Sequence, residues 1–329
     1  MPDPFGGFGW ICRHTPAPQC NLFFSQLWNS DQSFSLGLLL SGSDFYAPYY
    51  VNGQSVHDDP NVQAARADSG TGVRANCMIP HGGHRGSVGD VALIVIASIS
   101  VLLAVLLLWH AGRRKAAVGR IEIQSLLFVY GLHTALSVVT MSSLLEQGSK
   151  SLAVLSSIHI AVIVVLFWIL LGNAIIVTQF VEDGTPAALV PMALFAVLFF
   201  IPTLYIGLDT SLGFSDAFVL PNNIQAVDLK SIGLFCLTLL WPALAALLYL
   251  VIMVYVSLGI LNEVKPAMLY LLAGLLFAAG QLIFFLASQP LCNASHGKVN
   301  GAFVSVLLDT AALGTIYWAW QTITEDDWE

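Results

Sequence analysis

Seven apolar runs, six of them free of formal charge, decide what this chain can fold into, because each is long enough to cross a lipid bilayer. A helix needs about 20 apolar residues to span the hydrocarbon core. Runs of that length lie between the charges at Val91–Gly112, Ile123–Leu145, Ser151–Val181, Gly184–Leu208, Ser231–Asn262, Pro266–Gly297 and Asn300–Thr324. The fourth contains Pro191 and Pro202, the fifth Pro242, and the sixth is expected to end near Pro290. Prolines are tolerated inside such helices when neighbouring helices satisfy the freed carbonyls. Composition agrees: charged residues are 10 % of the chain and hydrophobic residues 57 %, whereas a soluble domain carries about 25 % charged residues. The expected fold is all-α, a polytopic membrane protein with a seven-transmembrane-helix bundle. Residues 1–90 read as a lumenal, cysteine-containing and partly flexible N-terminal tail, 91–324 as the bundle, and 325–329 as a short acidic cytosolic end. A net charge of −8 argues against nucleic acid as a partner, since phosphates need a basic surface; the lipid bilayer is the partner that composition requires.

Orientation follows from one loop. Arg113, Arg114, Lys115 and Arg120 crowd the connection after the first run, and positive loops stay cytosolic. The N-terminal tail is then lumenal and Glu329 cytosolic. No cleavable signal peptide is visible, since the first cation is Arg13 and Leu36–Leu40 is too short for an apolar core. Cys12, Cys20, Cys77 and Cys292 all fall on the lumenal side, while Cys236 lies inside the fifth run. Four thiols in an oxidising compartment imply two disulfides, with three pairings open. Asn293-Ala294-Ser295 is a glycosylation sequon in the same loop as Cys292. Cys77, His81 and His84 have metal-ligand spacing but lack a local fourth ligand, so no metal and no cofactor is expected.

Inside the bundle one formal charge stands out, Asp309 in the seventh run. Ionisable groups in a membrane are costly and face the bundle interior. Asp309 is nine residues after Asn300, and Gln281 nine before Pro290. At 1.5 Å per residue both lie about 13–14 Å below the lumenal helix ends. His133 and His159 fall in the same half of the membrane. These four residues read as intramembrane polar packing or client contacts, held between small-residue faces such as Gly274, Ala278 and Ser288. The seventh run has no lysine for a retinal Schiff base and no N-P-x-x-Y, and the spans hold too few histidines for an intramembrane zinc site. On the cytosolic side Glu182, Asp183, Asp326, Asp327 and Glu329 are candidates for an export or partner contact; Asp327-x-Glu329 has the form of a di-acidic export signal.

Several short motifs, in order, resemble the fungal chitin synthase export chaperone family. They are Ile11-Cys12-x-x-Thr15-Pro16-x-Pro18-x-Cys20, Val118-Gly119-Arg120-x-Glu122, Glu182-Asp183-Gly184-Thr185, Gly280-Gln281 followed by Cys292, and Trp320-x-x-x-Thr324-x-Asp326-Asp327-x-Glu329. The resemblance covers the chain except about Asn29–Ala75, and departs from the family at Met78-Ile79-Pro80. It implies a non-enzymatic, multi-pass chaperone of the endoplasmic reticulum. Such a protein binds a polytopic chitin synthase and lets it leave for the cell surface, with vesicle-coat machinery as a further partner. A seven-helix receptor or intramembrane lipid hydrolase is the alternative. The loop charges make one prediction directly: a glycosylatable reporter fused after Glu329 stays unmodified, and a glycosylated reporter reverses the topology.

Overall fold

The computed structural model describes residues 5–29, 69–73, 77–84, 86–114, 117–179, 181–215, 217–218 and 229–324. Two short helices, α1 (Gly9–His14) and α2 (Pro18–Asn29), precede the spans. The spans are α3 (Val91–Arg113), α4 (Arg120–Thr140), α5 (Lys150–Val177), α6 (Pro186–Leu212), α7 (Ile232–Ile260), α8 (Val264–Ala294) and α9 (Gly301–Thr324). All seven are long and apolar enough to cross a membrane, so the chain is a seven-span helical bundle. Cys12 pairs with Cys20 and Cys77 with Cys292. Both bonds lie at one end of the bundle, called here the disulfide face; Arg113, Arg120 and the α5–α6 turn lie at the other.

The spans organise around α5. It packs against α2, α4, α6 and α7, and 67 % of its most apolar window is buried, against 17 % for α6. Small residues on both helices bring α5 and α6 close: a Cβ at Gly207 of α6 would stand 3.0 Å from Ile160 Cδ1 and 3.1 Å from Ser157 Oγ, and one at Gly172 of α5 would stand 3.2 Å from Met192 Sδ. The remaining spans close the bundle through α3 on α4, α9 on α3 and α8 on α9.

Two wide, π-type turns explain how α7 and α8 pass through prolines. A proline removes its own N–H and its ring clashes with the carbonyl four residues earlier. For Pro242 that carbonyl belongs to Thr238, inside the π turn Cys236–Leu240. For Pro290 it belongs to Leu286, inside the π turn Ile283–Ala287. Each bulge displaces the carbonyl that would collide. The helix therefore continues past Pro290 to Ala294, one turn beyond the end expected from sequence.

Two further differences concern charge. The sequence reading made Asp309 the lone formal charge of the spans, because it ended each span at the nearest charge. The structure extends α6 to Leu212 and so includes Asp209, which is fully buried. Its two carboxylate oxygens accept the N–H groups of Ser215 (2.6 Å) and Phe218 (3.1 Å), folding the chain back over the helix end. Likewise α4 begins at Arg120 and contains Glu122, which is 1 % exposed.

Residues 5–29 of the segment read as a tail are part of the packed body. Phe8, Cys12, Cys20, Leu22, Phe23 and Phe24 are buried in one cluster with Leu93 of α3, Ile160 of α5 and Leu234 of α7. Asn21 donates to Thr140 O (2.8 Å) and Ser156 Oγ (2.9 Å), and Gln147 donates to Asn21 Oδ1 (3.2 Å). Gly148, at φ +75°, lies under Phe24 and Trp28, and any side chain there would press on both rings. The Cys77–Cys292 bond closes a separation of 215 residues, which contributes about 5 kcal/mol in the chain-entropy account. Gln289 reinforces it, accepting from Cys77 N–H (2.9 Å) and donating to Cys77 O (3.3 Å).

Asp90 caps α3, accepting from Leu93 N–H at 3.0 Å. Burial pushes its carboxyl from the ordinary 3.8 up to about 6, against the pull of the Leu93 and Ala92 amides and of Asn300. Its second oxygen, Oδ2, is buried without a partner. A folded-state value raised above the unfolded one means that the native protein holds the proton more tightly. Stability from this group is therefore complete at acid pH and falls as pH rises through the window from about 4 to about 6. Asp90→Asn keeps the capping oxygen and removes that dependence. Thermal unfolding of detergent-solubilised protein should show the variant gaining on wild type as pH rises through this window. A constant difference from pH 4 to 7 would show that Asp90 is not the group responsible.

Candidate functional site

Two polar constellations lie in and below the bundle. The first crosses the interior. His159 on α5 is fully buried, and both ring nitrogens are engaged: Nδ1 is 2.7 Å from Thr140 Oγ1 and Nε2 is 2.9 Å from His133 Nδ1. Thr140 spends its own proton on Leu136 O (2.9 Å), so His159 Nδ1 is the donor. His159 Nε2 is then the acceptor in the neutral ring, and His133 Nδ1 donates to it. Ser137 Oγ approaches the same Nε2 at 3.4 Å. The His133 ring lies 6.0 Å from that of Tyr130. The Tyr130 hydroxyl is 2.7 Å from Thr310 Oγ1 on α9, which is 2.7 Å from Ser100 Oγ on α3. One line of hydroxyl, imidazole and amide groups thus links α2, α5, α4, α9 and α3.

Asp309 sits beside this line, one residue before Thr310. Ser305 Oγ donates to its Oδ2 at 3.1 Å, and Gln281 Nε2 on α8 stands 3.4 Å from each of its oxygens. Depth arithmetic placed Gln281 and Asp309 level with one another, and the structure brings them together. Gly280 is what admits the carboxylate: a Cβ there would be 3.1 Å from Asp309 Oδ1 and 3.4 Å from Leu308 Cβ. Asp309, Gln281 and His133 are half-buried, unlike His159.

The second constellation ties together two turns and the end of α9 opposite the disulfides. Asp183 Oδ2 accepts the Gly119 N–H at 2.7 Å, and Glu122 Oε1 accepts the Gly184 N–H at 2.8 Å. The two turns thereby cap each other reciprocally. Gly119 and Gly184 both have φ +67°, a left-handed conformation that glycine adopts without steric cost. Asn173 Nδ2 donates to Glu122 O (3.2 Å), tying α5 to the pair, and Trp320 Nε1 of α9 donates to Val118 O (2.8 Å). Glu122 Oε2 is buried with no partner. Val118-Gly119-Arg120-x-Glu122, Glu182-Asp183-Gly184-Thr185 and Trp320 are far apart in sequence and form one knot. Asp183 is thus committed to the chain's own backbone, whereas the Glu182 side chain is exposed.

Of the other sequence candidates, Cys12, Cys20, Cys77 and Cys292 form the two disulfides. Asn293 is exposed on the last turn of α8. Its sequon hydroxyl, Ser295 Oγ, donates to Val299 O (2.9 Å) and accepts from Val299 N–H (3.0 Å). Asp326, Asp327 and Glu329 lie outside the described residues. Sequence reading missed Gln289, Asn173 and Thr310. Nothing in the local pattern marks an isolated amide or hydroxyl inside an apolar run, and only the helix packing shows what each one meets.

A substitution pair separates charge from hydrogen bonding at Asp309. Asp309→Asn keeps an acceptor for Ser305 and Gln281. Asp309→Leu strands both donors and should destabilise the bundle by about 1–3 kcal/mol, the usual cost of a buried polar group left unpaired. The thermal midpoint in detergent should fall clearly for the leucine variant and little for asparagine. Equal losses would mean that the residue acts through its charge.

Comparison with known proteins agrees with this layout. The sequence profile described as chitin synthase export chaperone matches residues 4–329. A protein of Chaetomium globosum with that name is 27 % identical over 325 residues, covering 99 % of this chain and 84 % of its own length. Those of Neurospora crassa and Cryptococcus neoformans are each 25 % identical over 99 % of this chain, covering 78 % and 76 % of their own lengths. The match takes in the disulfide-clipped N-terminal segment, all seven spans and the reciprocal knot alike, and the chain belongs to the chitin synthase export chaperone family.

Proposed function

We propose that this protein is a non-enzymatic chaperone of the endoplasmic reticulum membrane. In this reading it binds a polytopic chitin synthase, keeps its polar transmembrane residues shielded and enables its export to the cell surface. The observation that carries the reading is the extent of the family match, residues 4–329, which embraces the whole bundle rather than one local motif. The interior chemistry supports a structural role over hydrolysis. His159 has both nitrogens occupied by Thr140 and His133, so the pair is organised as a helix–helix contact and not as a metal or nucleophile site. This favours a chaperone over a lipid hydrolase.

The disulfide face is lumenal and the knot cytosolic in this reading. Two closed disulfides at one end support an oxidising compartment there, and Arg113, Arg114, Lys115 and Arg120 support a cytosolic location for the other. The acidic end at residues 325–329 follows α9 directly, and α9 is anchored at Trp320 by the knot. In this reading the carboxylates of Asp326, Asp327 and Glu329, together with that of Glu182, meet a basic partner such as vesicle-coat machinery.

The test uses the full chain and its client. Deleting the chaperone should trap chitin synthase in the endoplasmic reticulum, and wild-type protein should release it. Asp326→Ala combined with Asp327→Ala should leave chaperone abundance unchanged while raising the retained fraction of client several-fold. Normal delivery by this double variant would remove the acidic end from the export step. Normal delivery without the chaperone would remove the function itself.

A further inference from the structure

The seam between α7 and α8 is closed over only part of its length. In the half nearer the knot, Tyr249 meets Tyr270 with ring centroids 6.1 Å apart, and Leu250 fills the space over Gly274, where a Cβ would stand 2.9 Å from Leu250 Cδ2. Nearer the disulfide face the two helices part. The Ile283–Ala287 turn of α8 packs on α9 and on α1, and Phe8 of the N-terminal segment stands against Phe235 of α7 at 5.9 Å. Between these two closures lies a stretch where α7 and α8 face each other without comparable contacts.

Helical phase identifies what lines that stretch. Ala246 is one turn before Leu250 and so shares its α8-facing side; Gln281 is two turns after Gly274 and shares its α7-facing side. Ala246 and Gln281 are half-buried, and Ala243, Leu244, Ala278 and Leu282 on the rim are exposed. Behind Gln281 stands Asp309. A carboxylate offers about four acceptor sites. Asp309 uses them on one hydroxyl at 3.1 Å and one amide shared between its oxygens at 3.4 Å. In an apolar solvent, spare acceptor capacity on an intramembrane carboxylate calls for another donor. A lipid acyl chain has none to offer. A helix with a polar side chain does, and alanines on both walls let a helix backbone approach closely.

We propose that the α7–α8 seam, between the Tyr249–Tyr270 contact and the Phe8–Phe235 contact, is the docking site for a client transmembrane helix. That helix carries a hydrogen-bond donor or cation at mid-membrane depth, and the donor reaches the Gln281–Asp309 pair. The proposal rests on the chaperone reading and adds to it where the client binds and what chemistry is recognised.

Site-specific photocrosslinking in the full-length protein, co-expressed with a chitin synthase, tests it. Probes at Ala246 and at Ala278 should each capture the client at least about fivefold more than a probe at Leu194, which faces outward from α6. The captured segment, identified by mass spectrometry, should be a transmembrane helix bearing Lys, Arg, His, Asn or Gln. Ala246→Trp fills the seam without touching the polar pair. It should lower client co-purification and capture at Ala278 about fivefold or more with the chaperone's thermal midpoint unchanged. If the client co-purifies but Leu194 captures it equally, or the seam probes capture lipid alone, the seam is not the site and the chaperone reading stands. A captured helix with no polar donor overturns the recognition chemistry. If no client co-purifies with wild-type protein, both readings fall together.

Discussion

Polar groups that enter the hydrocarbon of a membrane must find their partners inside the protein, and this requirement sets how the helices of the bundle are rotated against one another. Lipid tails are as apolar as leucine, so burying apolar faces does little to choose between alternative helix packings. The line from Gln147 and Asn21 through His159, His133 and Tyr130 to Thr310 and Ser100 does choose. Each bond is worth about 0.6 kcal/mol net on average in such settings, with about 1.7 as an upper figure. Their collective effect lies in exclusion: turning any one helix by a residue would strand several donors in an apolar medium. The central helix α5 carries the largest share of this constraint, because His159, Ser156 and Asn173 all project from it toward different neighbours.

The two ends are fastened by different chemistry. At the disulfide face covalent bonds and the buried N-terminal aromatic residues hold α2, α8 and the approach to α3 together. At the other end, reciprocal capping of Gly119 and Gly184 by Asp183 and Glu122 does the equivalent work with hydrogen bonds alone. Several of the residues that signal the family in sequence sit at these fastenings, and Gly280 lies between them. Cys12, Thr15 and Cys20 shape the α1–α2 hairpin, with Thr15 Oγ1 donating to Ile11 O at 2.9 Å. Gly280 makes room for Asp309, and Trp320 joins α9 to the α3–α4 turn.

Much of this was legible in the sequence for one reason: in a membrane protein, charge placement and length carry the architecture. The seven spans appear as apolar runs, all but the last free of formal charge, and the shared depth of Gln281 and Asp309 follows from the rise per residue. The same rule misleads where a charge is satisfied inside the fold. Glu122 and Asp209 mark span boundaries by charge alone, yet each lies within its helix, where its carboxylate accepts backbone N–H from a turn: Gly184 for Glu122, Ser215 and Phe218 for Asp209. The N-terminal hairpin was illegible for a related reason. Its apolar residues, Leu22 to Leu27, are too few to span a bilayer, and nothing local distinguishes a short helix that docks from one that stays in water. Disulfide pairing needed the fold as well, since Cys77 and Cys292 meet only after α8 has run past Pro290.

A chaperone for membrane helices faces a problem that a chaperone in water does not. It cannot offer a greasy surface, because the bilayer already offers one. What it can offer is a polar partner at a fixed depth, held by a scaffold that does not collapse around it when the client is absent. Asp309 and Gln281 meet that description. They are held by Ser305, Gly280 and the α8–α9 packing, while α7 and α8 make their own contact nearer the knot, at Tyr249 and Tyr270. The cost of leaving such a carboxyl half-satisfied is borne by the rest of the bundle, where the polar groups of α5 are fully paired. Rigidity at the ends and incompleteness in the middle are, on this argument, two parts of one design: the first is what allows the second to persist in a folded protein.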